Sequence, residues 1–165
     1  MTKISKRITL TFFIVVISML AIGLCACNGF GSLNPADIEK AKTTAYFGEV
    51  NTVAKEFNSV LTDFQTDVKD KNIEAMQNKL NESQSLIDQF NKIEVPENCS
   101  EIQKNYLDAF IQLQQALSDY VNIYSDFING QIDNSVLNER VANVQKSYNQ
   151  GIELLNKADK LAAQF

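Results

Sequence analysis

Apolar side chains recur every three or four residues along most of the chain after residue 34, a period that predicts amphipathic helices. The first helix begins at Asn34-Pro35 and runs to about Asp70, because Asn is a preferred N-cap and Pro suits the first helical position. Its predicted apolar stripe comprises Ile38, Ala41, Ala45, Val50, Val53, Ala54, Phe57, Val60, Leu61, Phe64 and Val68. Residues 70–72 follow as a tight turn.

A second, shorter helix is predicted over about residues 73 to 92, where Ser83 falls at a position in which the stripe expects an apolar residue. Residues 93–97 read as a linker, since Pro96 favours an extended conformation at Val95. The linker either acts as a spacer that completes the short second helix, which we favour, or only stops one helix before the next.

A third helix is predicted to start near Asn98, with Glu101 as a reciprocal cap, and to end at Asn129-Gly130 as left-handed caps do. The fourth begins near Asp133 and continues to the C-terminus. No segment alternates apolar and polar residues as a half-buried strand would. The predicted fold class is therefore all-α: an antiparallel up-down-up-down four-helix bundle with a short second helix.

The N-terminus has a different pattern. Lys3, Lys6 and Arg7 precede an apolar run of about 17 residues, from Ile8 to Leu24. A basic head followed by such a run and by small residues is typical of a secretory signal. The run is near the lower length limit of a spanning helix, so an uncleaved anchor is the alternative to a cleaved signal.

The ending Leu24-Cys25-Ala26-Cys27 resembles the lipobox of bacterial lipoproteins, although Ala or Ser is more usual where Cys25 stands. The resemblance implies that Cys27 becomes the mature N-terminus and carries a lipid that holds the protein on the membrane. It divides the chain into a signal peptide (1–26), the lipidated Cys27 with its tether (27–33) and a helical domain (34–165). Residues 28–33 span at most about 20 Å, so the domain should stay close to the bilayer.

Charge and composition narrow the classes of function. Residues 1–26 carry three basic and no acidic residues, so the mature chain has twelve basic against twenty acidic residues, a net charge of about −8. This charge argues against binding nucleic acid, which needs a basic surface. The chain has no His, which removes the commonest general base and metal ligand. We predict no enzyme, cofactor or metal.

Few residues are candidates for chemistry. After lipidation Cys99 is the only thiol, and we interpret it as an inert or partly buried residue because acidic Glu97 and Glu101 flank it. A catalytic or redox role and an intermolecular disulfide are the alternatives. The carboxylate pair Asp63 and Asp67 lies one helical turn apart, and we expect a solvated helix face there, with Lys71 following four residues later.

Aromatic residues offer the remaining candidates. Tyr106, Tyr120, Tyr124 and Tyr148 are expected to fill the core with their hydroxyls at its edge, although an aromatic binding patch is the alternative. Tyr46 and Phe47 lie off the strict stripe and are the candidate exposed contact surface. The heptad-like spacing from Val50 to Val68 could support a coiled coil, but packing within the bundle explains it with fewer assumptions.

The lipobox, the acidic helical domain and the Val95-Pro96-Glu97 break are together similar to small uncharacterised lipoproteins of Gram-positive bacteria. We therefore expect a membrane-anchored, non-enzymatic binding module on the extracytoplasmic face, with a protein or cell-wall partner. Two alternatives remain at this point: a small-ligand receptor or sensor, and an immunity or phage-exclusion lipoprotein.

Overall fold

The computed structural model describes residues 34–165, and within this range the protein is all-helical, as the sequence predicts. Four helices follow one another: α1 (Pro35–Asp70), α2 (Ile73–Phe90), α3 (Ser100–Ile128) and α4 (Asn134–Ala162). A single 3₁₀ turn, Glu97–Cys99, precedes α3. The signal peptide, Cys27 and the tether lie outside the described residues.

The junction between α1 and α2 is the predicted tight turn. Lys71 adopts a left-handed conformation with φ 57°. Its backbone N–H donates to Val68 O at 3.2 Å, and the N–H of Asn72 donates to Asp67 O at 2.9 Å, which is the Schellman pattern of helix ends. The side chain of Asn72 then caps α2 by accepting from the N–H of Ala75 at 3.1 Å.

The linker before α3 differs slightly from the prediction. α2 ends at Phe90, two residues before the expected end, and α3 begins at Ser100 instead of Asn98. Asn98 does not cap α3, because it lies in the 3₁₀ turn, where the N–H of Cys99 donates to Pro96 O at 2.8 Å. Pro96 itself is buried, so the linker is packed against the domain.

The junction between α3 and α4 uses the glycine that the sequence singles out. Gly130 has φ 73°, and its N–H donates to Phe127 O at 3.1 Å. The side chain of Asp133 then accepts hydrogen bonds from the N–H groups of Ser135 and Val136, at 2.7 and 3.0 Å. Both ends of this connection are therefore set by local residues, as expected for a Gly C-cap and an Asp N-cap.

Contacts along α1 and α3 show that these two helices run in the same direction. The hydroxyl of Tyr46 donates to Gln103 Oε1 at 3.1 Å. Further along both helices, the rings of Phe64 and Tyr120 meet edge-to-face at 6.0 Å. The start of α1 therefore lies at the same end of the domain as the start of α3.

Contacts between α3 and α4 run in the opposite sense. Gln112 donates to Ser147 Oγ at 2.5 Å, and later in α3 Asp126 pairs with Arg140, which lies earlier in α4, at 3.3 Å. Early residues of one helix thus meet late residues of the other. The end of α4 returns to the end of the domain at which α1 begins.

The core is centred on stacked phenylalanines. Phe57 of α1 and Phe110 of α3 stack with ring centroids 4.5 Å apart, and Phe90 of α2 meets Phe110 edge-on at 5.0 Å. Six residues before Phe90, Gln84 accepts a hydrogen bond from Gln114, so α2 runs opposite to α3. The aromatic contacts join the first three helices in one hydrophobic core.

The buried position of Ser83 has a simple explanation. Its side chain is fully buried, and its hydroxyl donates to the carbonyl of Leu80 at 2.8 Å. A polar group can be buried at low cost when its hydrogen bond is made within the helix. The core stripe of α2 therefore continues through this residue.

The first three turns of α1 correct the prediction of one continuous buried stripe. Ile38, Ala41 and Ala45 are exposed, although residues 50 to 68 of the stripe form the core face as expected. At about 100° per residue, these three residues lie roughly 100° to 160° away from the buried face. The residues nearer that face are Glu39, Lys42 and the half-buried Thr43. The core face of α1 thus becomes polar before Tyr46.

Candidate functional site

Tyr46 and Phe47, the predicted exposed contact surface, are both buried. Their exposed fractions are 1% and 6%, so the expectation of exposed aromatics at this place is wrong. Tyr46 bonds to Gln103 of α3, and the ring of Phe47 packs at 5.8 Å against Phe165 near the C-terminus. Phe165, three residues beyond the end of α4, covers Phe47 through a contact between residues more than one hundred positions apart in the chain.

A groove lies where the core face of α1 becomes polar, between α1 and the linker before α3. It has a volume of about 440 Å³, within the usual range of ligand sites. Four of its residues are Glu and one is Lys. We call it the acidic groove, and it is lined by Glu39, Lys42, Ala45, Tyr46, Glu49, Glu94, Val95, Pro96 and Glu97.

The acidic groove is suited to positively charged groups. Four carboxylates against a single ammonium leave it with a net negative charge, and field lines concentrate in such a cleft. Burial raises the pKa of the Tyr46 hydroxyl, so Tyr46 stays neutral and hydrogen-bonded to Gln103 at physiological pH. Among residues 34–165, no group of three or more His, Cys, Asp or Glu side chains is placed to hold a metal ion.

A second groove lies between α3 and α4 at the opposite end of the domain. It has a volume of about 480 Å³, and we call it the α3–α4 groove. Its floor is apolar and its walls are polar, with the ion pair between Arg140 and Asp126 on one side. It is lined by Asp119, Asn122, Ile123, Asp126, Arg140, Asn143, Val144 and Ser147.

Cys99 is fully buried, in agreement with its interpretation as an inert thiol. Burial raises its pKa, and the negative charge of Glu39 raises it further. A thiol with a raised pKa holds little of the reactive thiolate at neutral pH. The position before the first turn of α3 therefore does not activate this cysteine.

The tyrosines fill the core, as expected. Tyr106, Tyr120 and Tyr148 are buried and Tyr124 is half-buried, so they form no aromatic patch on the surface. The hydroxyl of Tyr106 donates to Asp159 of α4. Burial raises the pKa of Tyr106, and this hydrogen bond raises it further. The tyrosine hydroxyl groups thus make their polar contacts at the edge of the core, as is usual for buried tyrosines.

The carboxylate pair Asp63 and Asp67 has a partner that the sequence did not reveal. Lys79 of α2, and not Lys71, pairs with Asp63 at 3.0 Å, and it also binds Glu82 at 2.8 Å. Burial raises the pKa of Asp67, the charge of Lys79 opposes this shift, and the charge of Asp63 adds to it. Only the packing of α2 against α1 brings this lysine within reach.

The predicted lipidation site, Cys27, lies outside the described residues, seven positions before the cap of α1. No helix within residues 34–165 is long and apolar enough to cross a membrane.

Comparison with known proteins gives one match. The model of a family described as "Family of unknown function (DUF6376)" matches residues 40–157, which is most of the helical domain. No curated protein and no solved structure matches the chain.

Proposed function

The chain belongs to the DUF6376 family of unknown function, and we propose that it is a bacterial lipoprotein, anchored through Cys27 to the extracytoplasmic face of the membrane. There it acts as a non-enzymatic binding module for a protein or cell-wall partner. The observation that carries this proposal is the order of the first 27 residues: a basic head, an apolar run and Leu24-Cys25-Ala26-Cys27. Lipid chains on Cys27 anchor stably, since each buried CH₂ contributes about 0.8 kcal/mol.

The start of the folded domain supports this assignment. Helix α1 begins at Pro35, so only a short tether separates Cys27 from a rigid helix. We infer that the four helices form an up-down-up-down bundle, because α1 contacts α3 in parallel and α4 contacts α3 in antiparallel fashion. In this arrangement the acidic groove lies next to the membrane, and the α3–α4 groove lies at the far end.

The placement of the titratable groups favours binding over catalysis. Catalytic acids and bases with shifted pKa values usually line a cleft that the substrate can enter. In this domain burial raises the pKa values of Cys99, Tyr106 and Tyr148, and all three side chains lie inside the core. These shifts are explained by packing, and a substrate has no access to these three groups. Burial also raises the pKa of Tyr46, which lines the acidic groove, but its neutral hydroxyl is engaged by Gln103.

The test of the anchor is a pair of cysteine variants in the full-length chain. Cys27→Ala should leave the protein unprocessed or release it from the membrane, whereas the control Cys25→Ala should be processed normally. Membrane fractionation and the mass of the mature N-terminus measure both. Unchanged membrane retention and unchanged mass in Cys27→Ala would contradict the lipoprotein assignment.

The test of the binding module is covalent crosslinking in intact cells, followed by mass spectrometry of the crosslinked partners. We expect a specific partner whose recovery falls when Glu94 and Glu97 of the acidic groove are changed to Lys. Glu153→Lys, an exposed change on α4 outside both grooves, serves as the control. Recovery of no specific partner, or equal loss in the control, would count against the proposal.

A small-ligand receptor is the second candidate, and the acidic groove is the observation that favours it. Its volume and its four carboxylates fit a small cationic ligand. A panel of amines and cationic peptides should then raise the melting temperature of the protein, and the Glu94→Lys variant should lose this effect. Equal stabilisation of both proteins would place the ligand elsewhere.

A further inference from the structure

The outer face of α1 carries a second row of uncharged, mostly small residues that lies outside the core; of its members only Ala45 borders the acidic groove. Its members are Ile38, Ala41, Ala45, Gly48 and Thr52, at successive steps of three, four, three and four residues. We call this row the outer seam. It lies on the side of α1 away from the core, and all its members except the half-exposed Gly48 are exposed, with Ile38 at 42%. The heptad-spaced apolar residues from Val50 to Val68, in contrast, pack in the core.

Steps of three and four with uncharged occupants are the pattern of one strand of a coiled coil. The glycine at position 48 favours a close approach by another helix. A Cβ built at Gly48 meets nothing within 4 Å, so packing within the chain does not require glycine at this position. Glycine in a helix costs about 1 kcal/mol relative to alanine. Small residues at such positions let two helix backbones come together closely.

The charges beside the outer seam select a partner and its direction. Asp37 and Lys42 flank the row on opposite sides, five residues apart, and both are exposed; Lys42 also lines the acidic groove. In a parallel pair of identical helices, this spacing places Asp37 of each copy next to Lys42 of the other. An antiparallel pair would instead bring like charges together. The seam is therefore complementary to a second copy of itself in the parallel direction.

We propose that two copies of this chain associate through their outer seams as a parallel, twofold-symmetric pair of α1 helices. The inference rests on the proposed lipid anchor. Because the tether from Cys27 to Asn34 has the same length in both copies, α1 of each copy begins at the same height above the bilayer. This favours the parallel register. The seam covers about two heptads and is smaller than the roughly 1,200 Å² of a stable interface. Confinement to the membrane raises the effective concentration of the second copy.

The test is disulfide crosslinking of the full-length protein in its membrane. Ala41→Cys places a thiol in the outer seam, and Ile111→Cys places another exposed thiol on α3 as the control. Cys99 is fully buried, and in the lipidated protein Cys25 is removed with the signal peptide and Cys27 is blocked by the lipid, so background thiols do not interfere. For protein that leaves the membrane, the same comparison is made with Cys25→Ala and Cys27→Ala added. With Cu(II)-phenanthroline and dissolved oxygen as the oxidant, we expect several-fold more disulfide-linked dimer for Ala41→Cys. Equal yields from both variants, in protein that remains in the membrane fraction, would overturn the proposal.

Charge exchange tests the direction. In the Ala41→Cys protein, Asp37→Lys or Lys42→Asp alone should lower the dimer yield at least about twofold, because both symmetric ion pairs become repulsive. The two changes together should restore the yield. Failure of this restoration would overturn the parallel register.

Membrane fractionation of the same samples separates this inference from the anchor. Protein that leaves the membrane but still crosslinks with the same charge dependence would support the seam and contradict the lipid anchor. Protein that leaves the membrane and gives equal yields for Ala41→Cys and Ile111→Cys would contradict both.

Discussion

Replacing Gly151 with alanine should destabilise the protein, although the same change within a helix usually has the opposite effect. Gly151 is buried in the middle of α4. A Cβ at this position would lie 2.6 Å from Cγ and 2.9 Å from Cδ2 of Leu113, and 3.3 Å from the backbone N of the same residue. Leu113 is fully buried on α3, and a Cβ at Gly151 would press on the branch point of its side chain as well as on its backbone, so a simple rotation of the side-chain tip does not relieve the contact.

The size of the effect follows from two opposing contributions. Alanine favours the helix by about 1 kcal/mol relative to glycine. Forcing a methyl group into a well-packed core costs about 1 to 3 kcal/mol. Gly48→Ala receives the first contribution without the second, because nothing lies within 4 Å of its Cβ. The difference in the free energy of unfolding between the two variants should therefore equal the cost of overpacking, about 1 to 3 kcal/mol.

Urea denaturation followed by the helical circular dichroism signal measures this difference, at one low protein concentration that keeps the outer seams apart. Gly48→Ala should raise the midpoint and Gly151→Ala should lower it. Leu113→Ala removes the two closest contacts, so Gly151→Ala should cost less in that background. If both glycine variants were stabilised equally, the close approach of α3 and α4 at Gly151 would be refuted.

Three further predictions concern the ends of helices and the core. Lys71→Gly should stabilise the protein by up to about 1 kcal/mol in thermal melts, and Gly130→Ala should destabilise it similarly, because both positions have positive φ; effects of the same sign would contradict this. Asp133→Ala should cost about 1 kcal/mol, and Asn34→Ala clearly less, because only Asp133 caps through its side chain; equal losses in urea titrations would count against it. Burial raises the pKa of Tyr148 to about 12, so the folded state holds its proton longer than the unfolded state, and stability should fall as pH rises from about 10 to 12; a flat profile in pH-dependent denaturation would exclude this.

The sequence predicts the helices well because their boundaries are set locally. The end of α1 at Asp70, the start of α2 at Ile73 and the end of α3 at Ile128, just before Gly130, follow from turn and capping residues that act within a few positions. The core of α1 from Val50 to Val68 follows from the spacing of apolar residues. Each of these signals is contained in a short stretch of chain.

The features that the sequence did not predict depend on contacts between distant parts of the chain. Phe47 is covered by Phe165, and Lys79 reaches Asp63 only after α2 packs on α1. No local pattern encodes either contact. The exposure of Ile38, in contrast, can be predicted from the sequence, since a helical wheel of α1 places this residue away from the core face. Treating the apolar residues of α1 as one continuous stripe missed this change in the buried face.

The burial of Cys99 links the oxidation of the protein to its conformational stability. In the folded state an oxidant cannot reach the thiol, and the raised pKa of Cys99 suppresses its thiolate. An unfolded molecule exposes the same cysteine and can form disulfides with other chains. In an oxidising solution, the rate at which free thiol disappears therefore reports how often the domain opens. Each destabilising change shortens the chemical lifetime of the molecule, and oxidised copies are those that have already unfolded.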